Sequence, residues 1–235
     1  MIVFITGGAK NGKSSYAQDL AVKLANGGKH YYLATMIPCD EEDRDRIRHH
    51  LVDRAGLDFE TLEQGRDIAK CLEHADKEGT FLLDSVTALL LNELYPDPTT
   101  WKLDPAAPDR CQAGLEALCG QVKNIVLVSD YIYSDAVKYG EETEIYRRGL
   151  AQLDRFLAGI ADTVIEAPVV PASGRVGDRV ILVGFGAAVR PAGPSSGGDR
   201  HCSVRDTLFR NRLHTSGWLY GCDRCRKILP GSGTA

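Results

Sequence analysis

The sequence predicts an α/β fold, with helices flanking a largely parallel β-sheet. Short β-branched and apolar runs alternate with longer amphipathic stretches, which is the pattern of successive βαβ units. The length of 235 residues, 43% hydrophobic and 26% charged, fits one sizeable globular domain with a short appendage. The longest apolar runs, FLL and ALLL, are far too short to cross a bilayer, so no membrane span is expected.

The strands are predicted where β-branched or large apolar residues form short runs. In chain order these runs are residues 2–5, 31–34, 81–83, 125–128 and 163–165, and residues 180–183 are expected to add an edge strand.

Helical periodicity fills the intervals between these strands. After a glycine-rich turn, apolar residues recur at helical spacing over residues 17–25, so one face of a first helix packs on the sheet. Further helices are expected over residues 41–54, 112–122 and 141–161, and another beginning near Val86. Residues 95–108 contain four prolines and are predicted to form a loop.

Charge and cysteine usage narrow the class of protein. The 28 Lys and Arg residues against 32 Asp and Glu residues give a net charge of -4, which argues against a nucleic-acid binder. Seven cysteines, an odd number, exclude a complete disulfide framework. The opening MIVFITGG is too short for a signal peptide, so the protein is expected to be cytoplasmic.

The strongest motif lies between the first predicted strand and the first predicted helix. Residues 7–14 read GGAKNGKS and fit G-x-x-x-x-G-K-[ST] in the strand-to-helix context that this phosphate-binding loop requires. Its residues are Gly7, Gly8, Ala9, Lys10, Asn11, Gly12, Lys13 and Ser14.

This loop predicts a P-loop NTPase-like fold that binds GTP or ATP. Glycines let successive backbone N–H groups converge on phosphate oxygens, and the positive end of the following helix faces the same charge. Lys13 is expected to contact the β- and γ-phosphates, and the Ser14 hydroxyl to bind Mg²⁺. The alternative is a glycine turn in which the lysine stands by chance.

A second residue that binds magnesium is predicted at Asp84, which follows the apolar run FLL. A carboxylate at the end of a buried strand can hold the metal ion through water. The alternative is that Asp84 caps the helix that begins near Val86, and the two roles are compatible.

Two adjacent histidines on the predicted helix 41–54 have neighbours of opposite charge. Because residues four apart become neighbours on a helix, His50 is expected to lie between Arg46 and Arg54. Flanking cations disfavour an imidazolium ion, so His50 is expected to stay neutral and able to attack a phosphoryl group whose oxygens the arginines bind.

His49 is expected to lie between Asp45 and Asp53, whose carboxylates favour its charged form. The spacing alone leaves open the alternative that both histidines belong to a solvated helix face with salt bridges.

The end of the chain is predicted to be an extension from the main domain. Residues 191–199, PAGPSSGGD, are typical of a flexible joint, which divides a nucleotide-binding α/β domain of residues 1–190 from an extension of residues 191–235. The extension holds four candidate ligands for one Zn²⁺ ion, and the alternative is a set of free thiols on a mobile terminus. The candidate zinc ligands are His201, Cys202, Cys222 and Cys225.

These segments together resemble a known family, the bifunctional adenosylcobinamide kinase / adenosylcobinamide-phosphate guanylyltransferase of cobalamin biosynthesis. The matching pieces follow the family order: the GGAKNGKS loop, YYLAT at 31–35, RIRHHLVDR at 46–54, TLE at 61–63 and LLDSVTALLLNEL at 82–94. The loop alone is common to many NTPases, whereas its combination with the other segments is much more specific.

The resemblance implies two activities on a cobinamide: phosphorylation of its hydroxyl by a nucleoside triphosphate, and transfer of GMP from GTP through a guanylyl-histidine. It implies a homotrimer with Mg²⁺ at the site, and it places the nucleophile at His50. Thr35, Arg54 and Glu63 match positions around the nucleotide, and Lys13, Ser14 and Asp84 match the phosphate and magnesium positions.

The sequence departs from the family pattern after about Leu94. Residues 129–132 read SDYI where the family has an N-E-V-G-like turn after this strand. This region is associated with substrate and trimer packing, so two alternatives stay open. One is a P-loop kinase for another small-molecule alcohol, and the other is a non-catalytic GTP-binding regulatory protein.

Overall fold

The structure is a computed structural model that describes residues 1–9, 11–133, 137–167 and 181–183. Seven strands within these residues form one sheet. In chain order they are β1 (Ile2–Gly7), β2 (His30–Ala34), β3 (Glu60–Glu63), β4 (Thr80–Asp84), β5 (Asn124–Asp130), β6 (Thr163–Ala167) and β7 (Ile181–Val183). The order across the sheet is β3-β2-β4-β5-β1-β6-β7, and all neighbouring pairs are parallel except β6 and β7.

Five α-helices and one 3₁₀ helix connect the described strands. They are α1 (Lys13–Ala25), α2 (Glu41–Asp53), the 3₁₀ helix (Ile68–Glu73), α3 (Val86–Leu94), α4 (Ala107–Cys119) and α5 (Glu141–Ile160). No helix in this part of the chain combines the length and the apolar character that a membrane crossing needs.

The helices cover the two faces of the sheet unequally. On one face α1 packs on the central strands, and Ala17 and Ala21 contact a layer that includes Val126. On the other face α3, α4 and α5 pack together over the side chains of Phe4 and Leu83. Because both faces of the central strands are covered, their sequences are continuously apolar, which is typical of parallel sheets.

The α/β fold and its largely parallel sheet are confirmed, and three details differ from the sequence prediction. The polar edge strand β3 was not expected, and neither was the 3₁₀ helix. The loop after α3 is shorter than expected, because α4 already begins at Ala107 and Pro108 lies in its first turn, where a missing N–H costs no hydrogen bond.

Two predictions fall on residues that the structure does not describe. Residues 191–235, with the expected joint and extension, are outside the described residues, and so is Val180 at the start of the predicted edge strand. Residues 181–183 of that strand form β7, antiparallel to β6.

Candidate functional site

The glycine-rich loop lies where β1 ends and α1 begins. Gly12 has a φ of 83° and is the N-cap of α1, so no side chain caps the helix and its amino end presents backbone N–H groups. A Cβ at Gly7 would lie only 2.5 Å from the carbonyl oxygen of Ala167 on the neighbouring strand β6. The Asn11 amide donates to that same oxygen at 2.7 Å, so the loop is fastened to the sheet.

Lys13 is buried at the base of this loop, with 5% of the residue exposed. Its ammonium group donates to the carbonyl oxygen of Gly8 at 2.8 Å and to Oδ1 of Asp130 at 2.5 Å. Asp130 ends β5 and is the register partner of Gly7, so the carboxylate faces the loop across adjacent strands. The cation is therefore held at the place where the motif predicts contact with phosphates.

Asp84 ends β4, at the same edge of the sheet. The Tyr32 hydroxyl donates to its Oδ2 at 2.9 Å. Burial raises the pKa of Tyr32 far above its ordinary value, and the Asp84 carboxylate adds to this effect, so the phenol stays a donor. The alternative role of Asp84 as a helix cap is wrong, because Ser85 is the N-cap of α3 and its Oγ accepts from the backbone N–H of Ala88.

Thr35 is fully buried between β2 and α3. Its hydroxyl donates to the carbonyl oxygen of Ser85 at 2.8 Å and accepts from the Ser85 N–H at 2.7 Å. The Asn92 amide donates to the carbonyl oxygen of Thr35 at 2.7 Å. Thr35 therefore fixes the backbone that follows Asp84.

The two histidines lie on α2, a helix of mainly charged residues that makes few contacts with the other described elements. His49 is exposed, and its Nδ1 lies 2.8 Å from the carbonyl oxygen of Asp45. His50 is half-buried, and its ring has no hydrogen-bond partner within the described residues. Its expected neighbour Arg46 is bound to Glu42 at 2.6 Å on the same helix.

Arg54 caps α2 and turns toward the sheet. It is 8% exposed, its guanidinium lies 4.1 Å from the centre of the Tyr32 ring, and it donates to Oγ1 of Thr61 at 3.3 Å. Since Tyr32 in turn donates to Asp84, a chain of two contacts connects the carboxyl end of α2 with the end of β4.

Some of the other predicted site residues lie along the edge of the sheet where the parallel strands end, and some are outside the described residues. Ser14 is half-buried in the first turn of α1, and Glu63 is exposed at the end of β3. Lys10 and the four candidate zinc ligands are outside the described residues. Within the part of the chain that the structure describes, no three His, Cys, Asp or Glu residues group as a metal site would require.

Sequence reasoning missed Tyr32 and Asp130 as members of this site. Asp130 could have been found, because it follows closely on a predicted buried strand and the carboxyl ends of parallel strands meet at one edge of a sheet. No feature of the sequence indicated the role of Tyr32, because an aromatic residue within a strand is ordinarily predicted to lie in the hydrophobic core.

A second polar cluster consists of Asp154 on α5, Ser129 on β5 and Tyr133, which follows β5. Asp154 on α5 is 3% exposed, and the Tyr133 hydroxyl donates to its Oδ2 at 2.9 Å. Burial raises the pKa of Asp154 to about 7, the Ser129 and Tyr133 hydroxyls oppose this shift, and the charge of Asp130 adds to it.

The fold and the loop together define a class. A parallel sheet whose first strand leads through G-x-x-x-x-G-K-S into a helix, with an acidic residue ending a neighbouring strand, is a P-loop nucleotide-binding domain. Residues 3–169 match the family described as cobinamide kinase / cobinamide phosphate guanyltransferase. This match covers well over half of the chain, which therefore belongs to that family.

Two relatives by sequence agree with the family match. The chain is 26% identical over 180 residues to the bifunctional adenosylcobalamin biosynthesis protein CobU of Salmonella typhimurium, covering 70% of this chain and 93% of the relative. The protein of the same name from Escherichia coli K12 is 26% identical over 174 residues, with the same coverage. Among solved structures, the flagellar accessory protein FlaH from Methanocaldococcus jannaschii overlaps with a TM-score of 0.39 and 16% identity over 70% of each chain.

Proposed function

We propose that this chain phosphorylates the hydroxyl of a cobinamide with a nucleoside triphosphate and then transfers GMP from GTP to the new phosphate. A guanylyl group on His50 is the intermediate of the second reaction. Membership of the cobinamide kinase / cobinamide phosphate guanyltransferase family supports both activities. The homotrimer that the resemblance implies stays a prediction.

The nucleotide is proposed to bind at the loop of residues 7–14. The buried ammonium of Lys13, the amino end of α1 and the tight turn at Gly7 form a site for a polyanion. Ser14 and Asp84 would hold Mg²⁺, and their hydroxyl and carboxylate oxygens are the hard ligands this ion prefers. When bound, Mg²⁺ neutralises charge on the phosphates.

The observation that supports the transferase half is the chain of contacts from the end of α2 to Asp84, the residue that ends β4. Arg54 packs over Tyr32, and Tyr32 is bonded to Asp84. These contacts join the end of the histidine-bearing helix, through Tyr32 of β2, to Asp84 at the end of β4. Ligands of parallel sheets bind at the edge where such strands end. His50 precedes Arg54 by one helical turn and has a ring free of other hydrogen bonds within the described residues.

The transfer of GMP needs neither a redox partner nor a separate base. A lone pair on a ring nitrogen of His50 attacks the α-phosphorus of GTP, an N–P bond forms, and the bond to the bridging oxygen breaks so that pyrophosphate leaves. A phosphate oxygen of cobinamide phosphate then attacks the same phosphorus, and the N–P bond breaks. Arg54 stabilises negative charge that develops on the phosphoryl oxygens.

Label transfer from α-³²P-GTP tests this proposal. We expect acid-labile, alkali-stable label on the wild-type chain, chased into product by cobinamide phosphate. His50→Ala is expected to carry no label, and His49→Ala, the matched control one position away, is expected to carry the wild-type amount.

Four outcomes would contradict the proposal. Label that persists in His50→Ala, or that is lost in His49→Ala alone, assigns the nucleophile to another residue. Nucleotide turnover with a different alcohol but not with cobinamide would support a kinase of other specificity. Tight GTP binding without any transfer would support a regulatory protein.

A further inference from the structure

The carboxylate of Asp130 is bound to the ammonium of Lys13, the group that contacts the β- and γ-phosphates in P-loop proteins. Its Oδ1 lies 2.5 Å from the Lys13 ammonium. The side chain of Lys13 is 6% exposed, and that of Asp130 is 26% exposed. The carboxylate is therefore open to solvent on one side and in contact with the phosphate-binding cation on the other.

The backbone of Asp130 is fixed independently of this ion pair. Its N–H donates to Oγ1 of Thr87 on α3 at 3.0 Å, and Gly7 is its register partner on β1. Within the described residues, Lys13 is the only hydrogen-bond donor to the carboxylate. When phosphates replace Asp130 at the ammonium, the carboxylate stays beside them without its former donor.

The two proposed reactions differ in their need for such a group. An alcohol that attacks the γ-phosphorus must lose its hydroxyl proton, and a carboxylate next to the transferred group is a suitable acceptor. A neutral imidazole attacks through a lone pair and loses no proton in forming the N–P bond. Asp84, the other acidic residue at this edge of the sheet, accepts a hydrogen bond from Tyr32 and is a candidate magnesium ligand.

We propose, on the basis of the function proposed above, that Asp130 is a catalytic residue of the kinase reaction alone, where it accepts the proton of the acceptor hydroxyl. The hydroxyl oxygen forms a bond to the γ-phosphorus, the bond from that phosphorus to the β,γ-bridging oxygen breaks, and the nucleoside diphosphate leaves. The proton passes to Asp130 and from there to solvent.

Asp130→Asn tests this assignment, because its amide oxygen can still accept a hydrogen bond from Lys13. With cobinamide and γ-³²P-ATP, the kcat of phosphorylation is expected to fall by about 10²-fold or more. The Kd for ATP is expected to be no higher than that of wild type, because a neutral amide competes less with phosphates for Lys13, and the labelling of the protein by α-³²P-GTP is expected to be retained. Asp130→Glu, which keeps a carboxylate, is expected to recover part of the kinase kcat, and Asp19→Asn on the exposed side of α1 is the control for charge removal.

Two results would overturn the assignment. One is a kinase kcat in Asp130→Asn equal to that of Asp19→Asn. The other is a parallel loss of ATP binding, kinase activity and guanylylation in both Asp130 variants, because this would give Asp130 a structural role only. A wild-type chain that neither phosphorylates cobinamide nor accepts label from GTP would instead contradict the proposed function itself.

Discussion

The phosphate loop and helix α2 are attached to the sheet in different ways. The loop is continuous with two buried elements, and Asn11, Gly7 and Lys13 fasten it to strands β5 and β6. Helix α2 makes few contacts with other described elements, and its charged side chains bond mainly to one another. The difference indicates a firmly fastened loop and a separate arm, held at one end by Arg54, that carries His50, the proposed nucleophile.

The largest expected contrast is in stability, between the sheet to which the loop is fastened and α2. Leu83 is fully buried in β4, whereas Leu51 on α2 is 48% exposed. Leu83→Ala is expected to lower the free energy of unfolding by about 2–5 kcal/mol, because it removes contacts and leaves a cavity. Leu51→Ala, the same chemical change, is expected to lower it by less than about 1 kcal/mol.

Urea denaturation of the two variants measures this contrast. Equal losses would mean that α2 is packed as firmly as the sheet, and the description of α2 as an arm would be wrong.

A smaller effect on stability is expected from the buried carboxyl group of Asp154. The folded chain keeps the proton of Asp154 up to its raised pKa of about 7, whereas an unfolded Asp loses it near pH 4. Between these values the folded state binds more protons than the unfolded state, so the free energy of unfolding falls as pH rises. Asp154→Asn removes this dependence and is expected to be more stable than wild type by about 2–4 kcal/mol at pH 8.

The matched control is the exposed Asp19→Asn. Unfolding free energies measured from pH 4 to pH 8 are expected to diverge for wild type and Asp154→Asn, and to run parallel for wild type and Asp19→Asn. A constant difference between wild type and Asp154→Asn over this range would contradict the buried, protonated state of Asp154.

The sequence predicts well what depends on local pattern. The β1 strand, the loop and α1 were predicted together, because the motif and the helical spacing of Ala17 and Ala21 are both local. The strand β3 was missed, since its residues Glu60–Glu63 lie at the sheet edge and are mostly exposed, without an apolar run.

The contacts that complete the site are long-range and have no local pattern. Lys13 and Asp130 are 117 positions apart, and only the order of strands in the sheet brings them together. Helical spacing predicted Arg54 on the histidine-bearing helix beside His50, whereas the helix ends at Asp53 and the guanidinium of Arg54 stacks on Tyr32. Fold and motif therefore followed from the sequence, whereas the pairing of charges across strands required the structure.

The most direct test of the account is an experimental structure of the chain with a non-hydrolysable GTP analogue and Mg²⁺. We expect the phosphates at residues 7–14, with Lys13 moved from Asp130 to the β- and γ-phosphates, and a ring nitrogen of His50 about 3–3.5 Å from the α-phosphorus. An analogue bound in the loop while His50 stays directed away from the α-phosphate, and another side chain takes its place, would contradict the central claim.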